Sequence, residues 1–417
     1  MLLSRTNSSF YALLLSVCLY LDILFSIWLT DSSWIRRSSV VVGPFLVSLF
    51  AQSDELLVVL LFSGCCSLFL LSFVLPRIRS VFSVSEVVLY GKWLLVLSAL
   101  LLDSQTRLST QIAVAVFLMS VSLTALVLAI FFLSPVHIPP SAIYAFIIAG
   151  AAVEISALSR LVRQSFVPWF IHWLFYLEDE TVFSLRRVFT LGYWFGCLFL
   201  ALTPLGMGVL AQFPVIIQRK YFHYLCVILF LPSILRDPDF LECVLASSLM
   251  SRVAFAFALL VFLLMEIARL SSLPPFQGLD GFMKQYVDER DSGPLILTHF
   301  SLLLGCALPL WIAGESETWS ALAGLIMLGV GDATAAIVGK MWGRHRFSNG
   351  RSLEGSLGFV FSSVAFCVIV GGLKGQRITA WHGIAVVLAA VMEAVGEELD
   401  NYVLPMYFAS VFTFLLF

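Results

Sequence analysis

Charged side chains are scarce in this chain. Only 12% of its 417 residues are Asp, Glu, Lys or Arg, whereas 60% are hydrophobic. Water-soluble domains usually carry roughly twice that charged share. The net charge of −2 offers no basic surface to nucleic acid, and no nucleic-acid partner is expected. The composition therefore excludes a water-soluble domain and points to lipid as the solvent.

Two familiar site patterns are also missing. The eight cysteines all lie in apolar stretches and none has zinc-ligand spacing with a histidine, so we predict that they are small buried hydrophobic residues. A Walker A loop is excluded because Met341 follows Gly339-Lys340 and Thr334 stands where its first glycine would be.

Long apolar segments fill the rest of the chain. Irregular backbone cannot face lipid, so the segments predict an all-α, polytopic transmembrane bundle of about 13–15 helices with no separate soluble domain. The run from Phe10 to Thr30 is too long for a cleavable signal and is expected to be the first span. The segments lie near residues 10–30, 39–51, 56–75, 87–102, 111–134, 141–158, 190–213, 222–235, 243–265, 294–313, 320–339, 356–373, 379–395 and 402–417.

Hydrophilic interruptions divide the chain in two. Residues 1–213 form an N-terminal multi-helix membrane region with no assigned function, and residues 214–417 are predicted to be a catalytic membrane region. Counting crossings in the second region places Arg219-Lys220, residues 266–293, residues 340–355 and residues 397–401 on one face of the membrane. Such convergence is the geometry of a single active site.

Basic residues give the orientation. The shared face carries Arg219, Lys220, Arg269, Lys284, Arg290, Lys340, Arg344, Arg346 and Arg351, whereas the opposite loops carry Arg236, Lys374 and Arg377. By the positive-inside rule the shared face is cytosolic, which is where nucleoside triphosphates are found.

The stretch from Gly331 to Gly355 carries the most information. On a helix Asp332, Ala335, Gly339 and Gly343 share one face. A small-residue packing stripe explains the glycines, but it leaves unexplained a costly carboxylate at the end of a membrane helix. The following loop packs cations with Gly and Ser, a pattern that favours polyphosphate binding.

This stretch resembles the CTP-binding signature of the dolichol kinase family, which is related to phytol kinases and more loosely to phosphatidate cytidylyltransferases. The family pattern is Asp-x-x-Ala-x-x-x-Gly-x-x-x-Gly, a short basic loop, then Lys-Ser/Thr-x-Glu-Gly. One departure is Arg351, where the family usually has Lys; the charge is kept, but the phosphate geometry differs. The matching residues are Asp332, Ala335, Gly339, Gly343, Ser352, Glu354 and Gly355.

Further stretches resemble the same family from Arg219 to the end of the chain. They are Arg219-Lys220 with His223, the Asp288-Glu289-Arg290-Asp291 loop, and Glu393 with Asp400-Asn401; residues 80–86 are a weaker echo. Taken singly, these motifs have simpler interpretations, namely an interfacial anchor, a satisfied helix histidine and a solvated loop.

The resemblance implies CTP-dependent phosphorylation of dolichol to dolichyl phosphate at the cytosolic face of the endoplasmic reticulum, which supplies the lipid carrier for protein glycosylation. It implies catalytic roles for Asp332, Asp288, Asp291 and His223. A divalent cation, expected to be Mg²⁺, would be held by Asp332, Asp288 and Asp291, with Glu354 as an alternative. Arg219, Lys220, Arg290, Asp400 and Asn401 would support the site. The CTP element at 331–356 would use Gly331, Gly339, Lys340, Gly343, Arg344, Arg346, Arg351, Ser352, Glu354 and Gly355.

Other readings stay open at this point. A cytidylyltransferase would use the same nucleotide but release pyrophosphate, a phytol-type kinase would use a different lipid alcohol, and a transporter would line a path with its intramembrane charges. Arg252 interrupts an apolar segment and indicates either a helix boundary or a buried pair with a carboxylate.

Overall fold

The structure is a computed structural model, and only part of the chain is described here. The described residues are 93–94, 96–97, 100–101, 106–133, 139–176, 183–206, 208–235, 248–271, 276–284, 295–296, 298–313, 317–396 and 400–416. The predicted first span at 10–30, the echo at 80–86, and Asp288, Arg290 and Asp291 lie outside them.

The described part of the chain is built from α-helices and contains no strand. The helices are α1 (Leu108–Leu133), α2 (Pro140–Leu161), α3 (Phe166–Phe175), α4 (Leu185–Gly206), α5 (Val215–Ile234), α6 (Ser248–Leu270), α7 (Leu279–Lys284), α8 (Thr298–Ile312), α9 (Thr318–Ala321), α10 (Ala333–Trp342), α11 (Leu353–Leu373), α12 (Ala380–Val395) and α13 (Asp400–Leu416). A π-helical segment, Leu325–Asp332, leads directly into α10.

Six helices within the described residues are long and apolar enough to cross a membrane. Further apolar helices, such as α8 and α12, are shorter. The fold class predicted from the sequence, an all-α polytopic membrane protein, is confirmed. The division at residue 213 stays a prediction. The six candidate spans are Pro140–Leu161, Leu185–Thr203, Val215–Ile234, Leu249–Leu270, Leu325–Trp342 and Leu353–Leu373.

The predicted alternation of loops is visible in contacts at the two ends of the bundle. At the end that carries residues 343–352, here called the polar end, Asn349 Nδ2 donates to the Ala394 carbonyl at 2.8 Å, so α12 ends there. At the opposite end Lys374 Nζ donates to Thr318 Oγ1 at 2.9 Å, so α11 ends where α9 begins. These contacts agree with the membrane crossings counted from the sequence, which put residues 340–355 and 397–401 on one face and Lys374 on the other.

The π-helical segment is the centre of the C-terminal core. Seven of its eight residues, including Leu325, Met327 and Asp332, are buried. Gly324 brings the start of this segment against the backbone of α8 at Gly305 and Cys306, where a side chain would collide. Small residues let membrane helices approach closely, and π-helical turns are frequent at functional sites. Asp332 is thus the last residue of a segment that is enclosed by the core.

Arg252 lies inside α6 and stabilises the end of a neighbouring helix. Its guanidinium donates to the carbonyl oxygens of Trp311 at 3.2 Å and Ala313 at 2.9 Å, and to Thr110 Oγ1 at 3.2 Å. The Trp311 indole returns a hydrogen bond to the Arg252 carbonyl at 2.9 Å. The last carbonyls of a helix lack intrahelical donors, and a cation there is favourable. These contacts give Arg252 a structural role.

We therefore expect Arg252→Met to destabilise the protein by about 3 kcal/mol, because it leaves buried carbonyl oxygens without a charged donor. The thermal unfolding midpoint of the detergent-solubilised protein measures this. Arg377→Met is the matched control, since Arg377 is exposed at the end opposite the polar end. Equal midpoints for the two variants would contradict the structural role.

Candidate active site

Two of the predicted motifs meet inside the bundle. Nζ of Lys220, on α5, lies 2.5 Å from Oδ2 of Asp332, and Nε2 of His223 lies 3.4 Å from the same oxygen. His223 and Asp332 are buried, and the Lys220 side chain is 12% exposed. We call these three residues the Asp332 cluster. A charge buried this deeply is tolerated only with a partner, and Lys220 supplies one.

The hydrogen bond made by His223 Nδ1 determines whether Nε2 can accept a proton. Nδ1 lies 3.1 Å from the Arg219 carbonyl oxygen, which can only accept, so Nδ1 carries the proton. In a neutral ring Nε2 then has a free lone pair facing the Asp332 carboxylate. A hydroxyl group within hydrogen-bond distance of both acceptors, to the side of the line that joins them, could donate to either of them. The geometry suits the removal of a proton from an alcohol.

Close helix packing positions the cluster. Gly329 lies against the Val227 side chain of α5, where any added side chain would collide, so the π-helical segment packs closely against α5 at this point. Next to the cluster the Tyr224 hydroxyl and Thr334 Oγ1 lie 3.0 Å apart. The sequence analysis missed Tyr224, although its spacing of four from Lys220 places it on the same helical face.

Asp332 lies deeper than the sequence suggested. We expected a carboxylate at a helix end, but the helix continues from Asp332 through α10 to Trp342. Ten residues of α-helix correspond to roughly 15 Å. The structure thus separates the carboxylate from the basic loop along α10. An apolar pattern locates a span but does not give the depth of one polar residue within it.

The basic loop, residues 343–352, is a compact turn at the polar end. Arg346 and Ser352 form an antiparallel bridge, and the Phe347 N–H donates to the Arg351 carbonyl at 2.8 Å. Gly350 closes the turn at a φ of +82°, a left-handed conformation that favours glycine. Arg344, Arg346 and Lys340 are exposed, so these three predicted phosphate ligands face solvent.

Two other predicted ligands are engaged within the protein. Nη1 of Arg351 lies 2.9 Å from Oε1 of Glu393 at the end of α12, and both side chains are largely buried. Oε1 of Glu354 lies 2.7 Å from Nδ1 of His345. The Glu393–Arg351 pair joins two of the stretches on which the family resemblance rests. It fixes the loop against α12.

The glycines of the signature pack α10 against α11. A side chain at Gly339 or Gly343 would meet Ser352, and one at Gly355 would meet the Ala335 carbonyl. The Ser352 hydroxyl accepts from the Gly355 N–H at 3.1 Å and caps α11. Gly331 lies against Phe359 and Ser363. The glycines therefore serve helix packing, as the small-residue stripe indicated, whereas Asp332 contacts α5.

An ionic network with a buried pair, Glu266 and Arg269, contacts described residues on both sides of positions 285–294. Glu266 Oε1 lies 2.7 Å from Nη2 of Arg269 and accepts from the Ile296 N–H at 2.8 Å. Arg269 also contacts Asp280 at 2.8 Å, and Lys284 contacts Asp280 at 2.7 Å. Lys284, and then Arg269, hold the pKa of the Asp280 carboxyl below its usual range.

The last predicted element lies beside that network. Asn401 Nδ2, in the first turn of α13, donates to Ser301 Oγ of α8 at 2.8 Å. Asp400 is the first residue of α13. Arg219 and Lys220 lie in the second turn of α5, and Asn401 lies in the first turn of α13; their supporting role in the site stays a prediction.

Asp332 brings two carboxylate oxygens into the Asp332 cluster, and such oxygens are the ligands that a divalent cation prefers. No group of three or more His, Cys, Asp or Glu able to hold a metal occurs among the residues that the structure describes. Both contacts of Asp332 in the cluster use Oδ2. Mg²⁺ takes one or two carboxylates together with substrate phosphates and water, so Oδ1 of Asp332 fits as one ligand.

Comparison with known proteins gives a consistent result. The dolichol kinase EVAN of Arabidopsis thaliana is 36% identical over 207 residues, which are 47% of this chain and 35% of that protein. The dolichol kinase sec59 of Schizosaccharomyces pombe is 35% identical over 256 residues, 56% of this chain and 48% of that protein. This chain is similar to dolichol kinases. Human dolichol kinase is 30% identical over 285 residues, 62% of this chain and 50% of that protein.

The dolichol kinase resemblance inferred from the motifs is confirmed by these matches. The chain spans about half the length, or less, of the curated relatives it matches. No family model matches the chain. No solved structure matches it either.

Proposed function

We propose that this chain transfers the γ-phosphoryl group of CTP to the hydroxyl of dolichol or a similar long-chain polyprenol. The observation that carries the proposal is the contact of Lys220 and His223 with Asp332, across more than a hundred residues of sequence. The similarity to proteins named dolichol kinase supports the lipid alcohol as acceptor.

The proposed reaction needs positioning and charge neutralisation more than covalent chemistry. The alcohol oxygen attacks the γ-phosphorus, an oxygen–phosphorus bond forms, and the bond between the γ-phosphorus and the bridging oxygen breaks to release CDP. His223 Nε2 accepts the hydroxyl proton, because Nδ1 is engaged with the Arg219 carbonyl. Lys220 neutralises charge on the transferred group.

The nucleotide would span the distance between the basic loop and the Asp332 cluster. We assign its α- and β-phosphates to Arg344, Arg346 and Arg351, with the capped start of α11 supplying backbone N–H groups, and its γ-phosphate to the Asp332 cluster. A Mg²⁺ ion bound to the nucleotide would neutralise its phosphate oxygens. Asp332 Oδ1 would hold that ion, and Asp288 and Asp291 stay predicted as further ligands.

We also propose that the polar end faces the cytosol and that the membrane is that of the endoplasmic reticulum. The excess of Lys and Arg at this end supports the orientation. The product, dolichyl phosphate, would then be available as a sugar carrier for protein glycosylation.

The choice between a kinase and a cytidylyltransferase depends on which phosphorus reaches the lipid. Membranes that contain the protein are incubated with dolichol and with CTP labelled at either the α- or the γ-phosphorus. We expect the γ-label in a polyprenyl monophosphate and the α-label in CDP. The α-label in the lipid together with free pyrophosphate would overturn the kinase proposal.

A further inference from the structure

An elongated cavity lies beside the Asp332 cluster, between α3, α4, α5, α6 and α8. Its volume is about 450 Å³, within the usual range for ligand sites. Its lining on α6 runs from Met250 to Phe262, which corresponds to roughly 18 Å along the helix axis. The cavity therefore extends along the helices rather than across them.

The lining is apolar except at one end. Aromatic and aliphatic side chains such as Trp173, Phe230 and Phe257 form the walls, together with Trp194, whose indole N–H donates to the Leu229 carbonyl, and the one imidazole of the lining is His299. His299 is in the first turn of α8 and Phe222 in the second turn of α5, so this end of the cavity is toward the polar end of the bundle. A cavity of this kind suits a hydrocarbon chain with one polar terminus.

The His299 ring is held in place but lacks a partner for one nitrogen. The ring stacks on Phe262 at 5.8 Å between centroids and meets the Phe222 ring edge-on at 5.4 Å. Nδ1 is buried and has no hydrogen-bond partner among the described residues. A buried polar atom without a partner is costly, and a ligand hydroxyl would satisfy it.

His299 also links the cavity to the Asp332 cluster. Phe222 lines the cavity and precedes His223 in the sequence, and His299 is within electrostatic range of Arg219 and His223. The tip of the cavity thus adjoins the site at which the phosphoryl group would be transferred. A hydroxyl at the tip would lie next to the base proposed for it.

The other requirement is an entrance for a chain longer than the cavity. Leu198 of α4 lines the cavity and is 42% exposed, and its neighbours Phe195 and Phe199 are 75% and 66% exposed. Exposed apolar side chains on a membrane helix face lipid. The wall of the cavity at α4 therefore includes a side chain that reaches the lipid-facing surface.

We propose that this cavity binds the hydroxyl-bearing end of a polyisoprenoid alcohol and that His299 Nδ1 hydrogen-bonds its hydroxyl. The inference rests on the proposed function, because it assigns a binding site to the lipid alcohol that accepts the phosphoryl group. The cavity holds only a few isoprene units, and the rest of the chain lies in the bilayer. Affinity should therefore rise with chain length until the cavity is full and then level off.

The first test fills the cavity. Ala258 lies on the cavity wall of α6, whereas Val261 on the same helix is 52% exposed to lipid. We expect Ala258→Trp to raise the KM for dolichol about tenfold or more, with the KM for CTP unchanged, and Val261→Trp to change neither. Equal dolichol KM values for Ala258→Trp and the unsubstituted protein would overturn the proposal.

The second test removes the polar tip. His299→Phe keeps a ring for stacking but loses the hydrogen bond, and we expect kcat/KM for the lipid to fall about tenfold. His299→Gln retains a hydrogen-bonding group and should recover part of that loss. A similar loss in both variants with lowered helix content would indicate a structural residue and overturn the role of His299.

A binding measurement separates this inference from the proposed function. A short isoprenoid alcohol with a photoreactive diazirine is irradiated with the purified protein, and the labelled peptides are identified. We expect labelling of α6 and α8 that is displaced by dolichol and lost in Ala258→Trp. Labelling confined to other helices would overturn the cavity proposal, even with kinase activity intact. Cavity labelling without label transfer from CTP would instead overturn the proposed function alone.

Discussion

Replacing Asp332 with Asn is expected to lower kcat for lipid phosphorylation about 10³-fold, because the side chain keeps its shape but loses the charge that a nucleotide-bound cation requires. The rate of label transfer from γ-labelled CTP to dolichol measures this loss. The KM for dolichol should change little, since the cavity is lined by other residues.

A control is needed because Asp332 also neutralises Lys220. Asp332→Asn leaves the Lys220 ammonium without its partner at 2.5 Å, and an unpaired buried charge is destabilising. The double variant Lys220→Met with Asp332→Leu removes both charges and should recover thermal stability without recovering activity. Recovery of both stability and activity would show that Asp332 serves Lys220 alone.

Exchanging the charges of Arg351 and Glu393 is expected to raise the KM for CTP roughly 10- to 100-fold, the effect of losing one hydrogen bond to a charged group. The native 2.9 Å contact fixes the loop against α12, and we expect the exchanged pair, Arg351→Glu with Glu393→Arg, to form an ion pair in its place. It also places a carboxylate where we propose that phosphate binds. CTP titration of the initial rate measures the KM.

Arg351→Lys is the conservative comparison, since it keeps the positive charge at this position, and it should change the KM for CTP only slightly. Arg351 either binds phosphate or only positions the loop, and the exchanged pair gives opposite results in the two cases. If Arg351 only positions the loop, the exchanged pair will bind CTP as the unsubstituted protein does.

The helices and the convergence of motifs could be predicted from the sequence. Apolar runs locate the membrane-spanning helices because, in lipid, the backbone N–H and C=O groups must form their hydrogen bonds within each helix. Counting crossings then placed Arg219-Lys220 and the loop after Gly339 at one end, and the contact between Lys220 and Asp332 agrees with that placement.

What the sequence did not reveal depends on tertiary packing. The π-helical turn that carries Asp332 and the depth of that residue arise from contacts among several helices. The role of Arg252 was equally hidden, because its partners are carbonyl oxygens more than 50 residues away. His299 carried no motif, and only the cavity beside it gives it significance.

The central claim is that the Asp332 cluster transfers phosphate from CTP to a lipid alcohol. The purified chain, reconstituted in liposomes with dolichol, is mixed with γ-labelled CTP, and lipid label and CDP are counted together. We predict one CDP for each dolichyl phosphate formed, and neither product from Asp332→Asn. CDP without labelled lipid, or equal lipid labelling by Asp332→Asn, would contradict the account.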